Sequence, residues 1–275
     1  MNKLFSTLSS AILLMAGLCL SSCSDNDDFR LTGIDGRPSA LFSNGQVTAS
    51  FIYSGNLFAR IQYPDGRAAH FNYENGEFSG IFYTPPKDVA DGHAWVDFSK
   101  TGDKTYKVSR GGEPAGDFSY REEIELDTNE LPFKITFAGI YQQTVDGEKL
   151  ITEDGRYALL TFDPATRQLL KQEVFDNESN LLVKYTYEYD NASGNISHLE
   201  FPMYFLGWWY YRNANSNDFE NIQFLNRRNN ITKITSENRE GNISTVTYTY
   251  KYNENNFPIS VSCDKWEGEE VGVRY

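Results

Sequence analysis

Alternation of apolar and polar side chains with a period of two runs through most of the chain and predicts antiparallel strands. In Leu57–Tyr63 the odd-numbered positions are apolar, while Arg60 and Gln62 point to the other side. Between positions 185 and 189, tyrosines alternate in the same way with Thr186 and Glu188. This pattern is typical of strands that cover a core with one face and meet water with the other.

Turn-forming dipeptides separate the predicted strands at nearly regular intervals. Asn44-Gly45, Gly55-Asn56, Asp65-Gly66 and Asn75-Gly76 place their glycines 10, 11 and 10 residues apart. Such pairs readily adopt the positive φ angles that tight hairpins need. They predict four strands, which are Gln46–Ser54, Leu57–Tyr63, Arg67–Tyr73 and Glu77–Tyr83.

An aromatic residue followed by an acid marks strand ends further along the chain. The pairs Phe162-Asp163, Phe175-Asp176 and Tyr189-Asp190 are 13 and 14 residues apart, and Tyr252-Asn253 repeats the pattern. We expect each acid to accept backbone N–H groups two residues on, forming an Asx turn. Asp163-Pro164 would also suit a helix start, but the repeat continues through it and favours a strand.

These patterns predict an all-β fold of about fourteen strands, arranged as an antiparallel meander of hairpins. A sheet of that length rarely stays open and flat, so we expect it to curl or close into a barrel-like, soluble body. We assign residues 39–275 to this single all-β domain.

The N-terminus predicts export and a lipid anchor. Lys3 precedes the apolar segment Ala11–Leu20, which is too short for the about 20 residues of a membrane span and suits a signal peptide over residues 1–22. Leu20-Ser21-Ser22-Cys23 resembles the bacterial lipobox, which implies acylation of Cys23. The alternative is an ordinary secretory signal cut near Ser22, with Cys23 left as a thiol.

An acidic stretch follows the predicted anchor. Ser24, Asp25, Asn26, Asp27 and Asp28 resemble the export signal of Bacteroides-type lipoproteins, which implies an outer-membrane location facing the cell exterior. The alternative is a solvated linker below a periplasm-facing anchor. In either case residues 23–38 are expected to act as a tether.

Four short motifs, two of them rich in tyrosine, resemble a domain family of Bacteroides-type lipoproteins of unknown function, described as having a porin-like fold. The motifs are Tyr185-Thr186-Tyr187-Glu188-Tyr189-Asp190, Gly194-Asn195-Ile196, Asn229-Asn230-Ile231-Thr232-Lys233-Ile234 and Tyr248-Thr249-Tyr250-Lys251-Tyr252-Asn253. The resemblance implies architecture and no catalytic or binding residues. We do not infer a pore from it. A membrane strand needs about 9–11 residues and an apolar outer face, whereas several predicted strands carry charge on the face opposite the aromatic residues.

Charge and reactive side chains narrow the function classes. The chain has a net charge of −13, or −14 once Lys3 leaves with the signal peptide, which argues against nucleic-acid partners. Cys263 alternates like a buried strand residue, so we expect an inert thiol. His70, His93 and His198 lack ligand spacing, and we expect no metal or cofactor; a cation held by Asp88, Asp91 and His93 is a weaker alternative.

The uncharged run Phe201–Tyr211 is the candidate binding segment. Trp208, Trp209, Tyr210 and Tyr211 would stack against a sugar or another apolar-faced ligand if exposed, and would fill the sheet interior if buried. Three function classes are compatible with the sequence as a whole. The first is a surface-exposed binding or accessory module for a glycan, peptide or protein; the others are a structural envelope lipoprotein and a hydrolase.

Overall fold

The computed structural model describes residues 37–86, 93–112, 118–145, 147–194, 201–215, 228–266 and 270–275. The signal peptide, Cys23, the Ser24–Asp28 stretch and most of the tether lie outside these ranges. Asp88, Asp91 and His198 also lie outside them.

Seventeen strands and one described helix make up the fold. The strands are β1 Ala40–Ser43, β2 Gln46–Ser54, β3 Leu57–Gln62, β4 Ala68–Glu74, β5 Glu77–Thr84, β6 Ala94–Lys100, β7 Thr105–Gly112, β8 Phe118–Leu126, β9 Pro132–Thr144, β10 Gly147–Thr152, β11 Tyr157–Phe162, β12 Leu169–Phe175, β13 Leu181–Tyr189, β14 Ile231–Asn238, β15 Ile243–Tyr252, β16 Pro258–Cys263 and β17 Glu270–Arg274. The helix, α1, is Met203–Asn215.

The strands form one antiparallel sheet that closes into a barrel, which confirms the predicted fold class. Apart from β10 and β11, consecutive strands pair with each other, and β1 pairs with both β2 and β17 to close the ring. β10 and β11 lie end to end along the 13-residue β9, so they share one of the sixteen positions around the ring. The expected number of about fourteen is too low, because short strands such as β1 and the divided β10–β11 position show little alternation.

The hairpin pattern is confirmed closely at the start of the barrel. β2 has the predicted bounds, β3 and β5 differ by one residue at one end, and β4 is shifted by one residue at both ends. Asn44 and Gly45 both have positive φ angles, of 50° and 76°, as a two-residue hairpin turn requires.

The predicted Asx turns are also present. β11, β12, β13 and β15 end at the aromatic residue of each pair. Asp176 Oδ1 accepts the backbone N–H groups of Glu178 and Asn180, at 3.0 and 2.8 Å. Turns that begin at Asp127, Asn238 and Asn253 repeat this arrangement, and in a turn one residue longer Asp163 Oδ1 accepts the backbone N–H groups of Ala165 and Thr166. The 163–168 segment is therefore a turn and not a helix start.

Apolar and aromatic side chains point into the barrel, while charged side chains pair on its outside. On β13, Tyr185 and Tyr187 are buried, and Glu188 accepts a hydrogen bond from Lys233 of β14 at 2.7 Å. Other cross-strand ion pairs on the outer face are Lys134–Glu125, Lys184–Glu237 and Lys251–Glu270. The alternation thus separates an apolar interior from a polar outer face, except at the start of β3, where Phe58 is buried and Leu57 exposed beside a register shift.

Hydrogen bonds from tyrosine hydroxyl groups link paired strands at one end of the barrel. In five hairpins, an inward tyrosine near the end of one strand donates its hydroxyl to a backbone carbonyl at the start of the preceding strand. These donor–acceptor pairs are Tyr53–Pro38, Tyr73–Phe58, Tyr189–Leu169, Tyr250–Ile231 and Tyr275–Pro258, at 2.8–3.0 Å. We call this the plug end; it also carries the 127–131 and 163–168 turns, and the opposite end carries the 44–45 and 176–180 turns.

The α1 helix enters the barrel from the plug end and packs against the inner wall. Phe205 is fully buried, and Phe71, Phe78 and Phe98 of β4, β5 and β6 surround it with ring centroids 4.6–6.3 Å away. A helix that is apolar on all sides is expected in a protein interior. Within the described parts of the chain, no helix combines the length and apolar character needed to span a membrane.

Candidate functional site

The plug helix, α1, fits the barrel because a glycine allows close contact with the wall. A Cβ at Gly207 would lie 2.3 Å from Cγ of Pro132, the first residue of β9. On the nearby strands β7 and β5, the Tyr204 ring stacks on Tyr106 at 4.0 Å, and its hydroxyl donates to the Phe78 carbonyl at 2.7 Å. The helix is thus held against this part of the wall by contacts between residues far apart in the chain.

A buried carboxylate anchors the middle of the plug helix. Glu122, on β8, is 1% exposed, and its Oε2 accepts a hydrogen bond from Trp208 Nε1 at 2.5 Å. Its Oε1 has no hydrogen-bond partner among the described residues and lies 3.7 Å from Arg110 Nε and 3.6 Å from Arg212 Nη1. The two arginines compensate the buried charge, which is a condition for tolerating it in an interior.

The electrostatics of this cluster show how dry it is. Burial lowers the pKa of Arg110, even though the Glu122 carboxylate beside it acts in the opposite direction. Burial, reinforced by Glu122, raises the pKa of the Tyr211 hydroxyl to about 12. Tyr211 therefore stays neutral at ordinary pH, and the cluster holds the helix in place by charge and hydrogen bonds.

A cavity of about 500 Å³ opens at the plug end, beside the start of the plug helix. We call it the rim pocket. Four separate chain segments contribute to its described lining, which are residues 100–106, 126–130, Arg167 and 201–204. The aromatic wall comes from Tyr106, Phe201 and Tyr204, whose positions depend on the packing of the helix.

Charged side chains surround the mouth of the rim pocket. Lys100, Lys104 and Arg167 supply three positive charges, and Asp103 and Glu130 supply two negative charges. Lys104 Nζ donates to the Asp127 carbonyl at 2.9 Å, and Arg167 Nη2 donates to the Asn129 carbonyl at 3.3 Å. The 127–131 turn, which connects β8 to β9, thereby holds both side chains in place.

Two residues of the rim pocket have an unfavourable backbone conformation. Glu130 and Arg167 have φ angles of +60° and +58°. The left-handed region costs a residue with a Cβ about 1 kcal/mol or more relative to glycine. Strain of this kind is often retained at binding sites, so it points to the same place as the cavity.

The structure places the aromatic candidates inside the barrel, as in the alternative that the run fills the sheet interior. Trp208, Tyr210 and Tyr211 are 4–8% exposed, and Trp209 is half-buried. None of these four is among the described lining of the rim pocket. Their contact with a ligand stays a prediction, and their observed partners belong to the core.

The remaining candidates lie apart from the pocket. Cys263 is a buried free thiol at the end of β16, as expected, and burial raises its pKa. His93 stacks on Phe82 with ring centroids 5.2 Å apart, and the ring of His70 is tilted against Phe82 with centroids 6.4 Å apart. In the described ranges, no group of three or more His, Cys, Asp or Glu side chains is placed to hold a metal ion.

Sequence reasoning missed the rim pocket. Lys100, Lys104 and Arg167 are separated by up to 67 positions, and nothing local marks them as neighbours. One signal was available at Arg167, since a long charged residue stands near the end of an Asx turn, where glycine or asparagine is usual. The helical form of residues 203–215 was missed as well.

Comparison with known proteins gives loose structural neighbours. No protein-family model matches the chain, and no curated protein matches it. A porin-like protein from Bacteroides vulgatus ATCC 8482 is 11% identical with a TM-score of 0.36, over 87% of this chain and 98% of that chain. A porin-like protein from Bacteroides uniformis ATCC 8492 is 12% identical with a TM-score of 0.42, over 86% and 96%. Both superpositions are loose, and the closed barrel is shown by this chain's own strand pairing.

Proposed function

We propose that this protein is a lipid-anchored outer-membrane protein whose plugged barrel is a ligand-binding module and not a passage. One observation carries the proposal. The plug helix occupies the inside of the barrel, and beside its start it leaves a cavity of about 500 Å³ lined by charged and aromatic side chains. Cavities of about 300–1,000 Å³ with a few converging polar groups are the usual form of a small-molecule site.

The outer face of the barrel supports a body that stands in water. On this face, the ion pair Lys233–Glu188 joins the neighbouring strands β14 and β13, and Lys251–Glu270 joins β15 to β17 across β16. A lipid-facing wall would need an apolar band at these positions. We therefore place the membrane attachment at the lipid on Cys23 and not at the barrel.

Attachment and display can be tested together in cells. Replacing Cys23 with Ser removes the thiol that the lipobox would acylate, so the variant should leave the membrane fraction. External protease should digest the wild-type protein on intact cells if residues 24–28 direct it to the outer surface. Membrane retention of the Cys23→Ser variant would refute the anchor, and protection from protease would refute surface display.

A structural role in the envelope is the second candidate. The observation that favours it is the burial of Trp208 and Tyr210, which gives the aromatic run a sufficient role as core. In that case the rim pocket would have no ligand, and the protein would act through contacts of its outer face.

Ligand screening separates the two candidates. The full-length protein in detergent micelles is applied to arrays of glycans and peptides, beside two charge-reversal variants. Lys100→Glu alters the rim pocket, and Lys149→Glu alters an exposed lysine on β10, toward the other end of the barrel. We expect wild type and Lys149→Glu to bind a shared set of ligands that Lys100→Glu loses. Absence of any ligand would favour the structural role, and equal binding by all three would move the site away from the pocket.

A further inference from the structure

We propose that the rim pocket recognises an acidic sugar, with its anionic group held by Lys100, Lys104 and Arg167. This inference rests on the proposed binding function and names the chemical class of its ligand. The shared chemistry is one sugar unit that carries a carboxylate, sulfate or phosphate group.

The rim pocket carries more positive than negative side chains. The whole chain carries 38 acidic and 25 basic residues, yet the described lining of the pocket has three cations against two acids. Lys100 is exposed and makes no ion pair with any described residue. A local excess of positive charge in an acidic protein draws anions toward that position.

The Asx turns of the barrel differ in the residue that adopts a positive φ angle. Five Asx turns each contain a residue with positive φ just before the strand resumes. In two turns this residue is Gly241 or Asn256, which suit the conformation, and in a third it is the small Ser179. In the two turns that border the rim pocket it is Glu130 or Arg167.

Charged side chains at these two positions are costly for folding. Glycine or asparagine would adopt the same positive φ with less strain, as Gly241 and Asn256 do in two of the other turns. The backbone of these turns therefore requires neither an arginine nor a glutamate, although the Arg167 guanidinium also donates to the Asn129 carbonyl. Their location does explain the charged side chains, because Glu130 and Arg167 both line the cavity.

The acids and aromatic rings indicate what accompanies the anionic group. Carboxylates accept hydrogen bonds and donate none, so Asp103 and Glu130 suit a ligand with several hydroxyl groups. Tyr106 and Phe201 offer apolar surface to the carbon-bound hydrogens of a ring. A hydroxylated ring with one anionic group matches all three features of the lining.

Calorimetry on the full-length protein in detergent micelles tests the proposal with defined probes. These are glucuronic acid, glucose 6-sulfate and glucose 6-phosphate, with glucose as the neutral control. We expect at least one anionic sugar to bind roughly tenfold or more tightly than glucose, since hydrogen bonds to charged groups contribute about 1.5–3 kcal/mol. Binding should weaken with added salt because the attraction is screened. Preference among the three arms identifies the anionic group.

Two pocket variants and one control assign the site. Lys100→Gln and Arg167→Gly should each weaken binding of that sugar roughly tenfold to a hundredfold. Lys149→Gln should leave it unchanged. Arg167→Gly should also keep or raise the melting temperature, because glycine relieves the positive φ. Lost binding without lost stability then excludes unfolding as the cause.

Each contrary result has a distinct meaning. Glucose bound as well as the anionic sugars, or full affinity in both pocket variants, would overturn the acidic-sugar site while leaving the proposed binding function in place. Failure of every sugar in this set, while other compounds on the arrays bind through Lys100, would also overturn the sugar assignment alone. Failure of every compound on the arrays would overturn the proposed function itself.

Discussion

Replacing Gly207 with Ala tests how tightly the plug helix is fitted to the barrel, because two physical effects predict opposite signs. Gly207 lies in the interior of α1, where alanine is favoured over glycine by about 1 kcal/mol. The new Cβ would, however, lie 2.3 Å from Cγ and 2.9 Å from Cβ of Pro132. We expect the steric effect to dominate.

The size of the expected loss in stability follows from the rigidity of Pro132. The Pro132 ring is buried at the start of β9 and has no alternative rotamer that would clear the contact. The helix must therefore move away from the wall, and overpacking of this kind costs about 1–3 kcal/mol. Taking the upper part of that range and subtracting the gain in helix propensity leaves a net loss of about 1–2 kcal/mol. For a domain of this size, that corresponds to a melting temperature lower by roughly 2–8 °C.

Urea unfolding followed by tryptophan fluorescence measures the change, since Trp208 and Trp209 belong to the helix that should move. Gly102→Ala is the control, because its Cβ would meet only Thr105, at 3.4–3.5 Å. In a double-mutant cycle, Pro132→Ala should remove much of the penalty of Gly207→Ala. A Gly207→Ala protein as stable as wild type, or additive effects in the cycle, would refute the close fit.

Three further perturbations test the interior and the turns. Glu122→Ala should destabilise the fold by about 3–5 kcal/mol in urea unfolding, because it leaves Arg110 and Arg212 uncompensated, and a smaller loss than in Trp208→Phe would contradict the anchoring role. Tyr189→Phe should cost about 0.5–1.5 kcal/mol by losing its bond to the Leu169 carbonyl, while Tyr187→Phe should be neutral or stabilising, since its buried hydroxyl has no partner among the described residues; equal losses would refute this contrast. Hydrogen bonds from the Asn180 side chain and backbone lower the pKa of Asp176 from its ordinary 3.8, so its contribution to stability is present above that pKa and lost as pH falls through the folded value. Asp176→Asn should therefore be less stable than wild type at about pH 6 and approach it in acid, and a stability gap independent of pH would contradict the argument.

Local signals explain how much of the fold was predictable. Hairpin dipeptides and aromatic–acid pairs act within a few residues, so the bounds of β2 and the Asx turn at Asp176 follow from short stretches of sequence. The inward tyrosines follow from alternation in the same way. The closure of the ring between β1 and β17 depends on sheet length and was expected in outline only.

The helix and the pocket could not be predicted by such signals. Aromatic residues have modest helix propensity, and the run 201–211 has no polar positions that would reveal a period. Its helical form depends on contacts across 126 and 86 residues of sequence, from Tyr204 to Phe78 and from Trp208 to Glu122. The rim pocket depends in turn on that helix, because one of its walls is the start of α1.

The size of the barrel explains why stability and binding should be connected in this protein. Side chains can fill a barrel of about eight strands, but about sixteen strands enclose a space that wall residues alone leave open. A water-filled interior would expose the inward aromatic surface of the strands, so an inserted segment such as α1 is needed to complete the core. The helix covers that surface on several sides, and the rim pocket remains where it begins. A change that moves the helix, as at Gly207, should therefore weaken ligand binding at the rim together with stability, whereas Arg167→Gly should weaken binding alone.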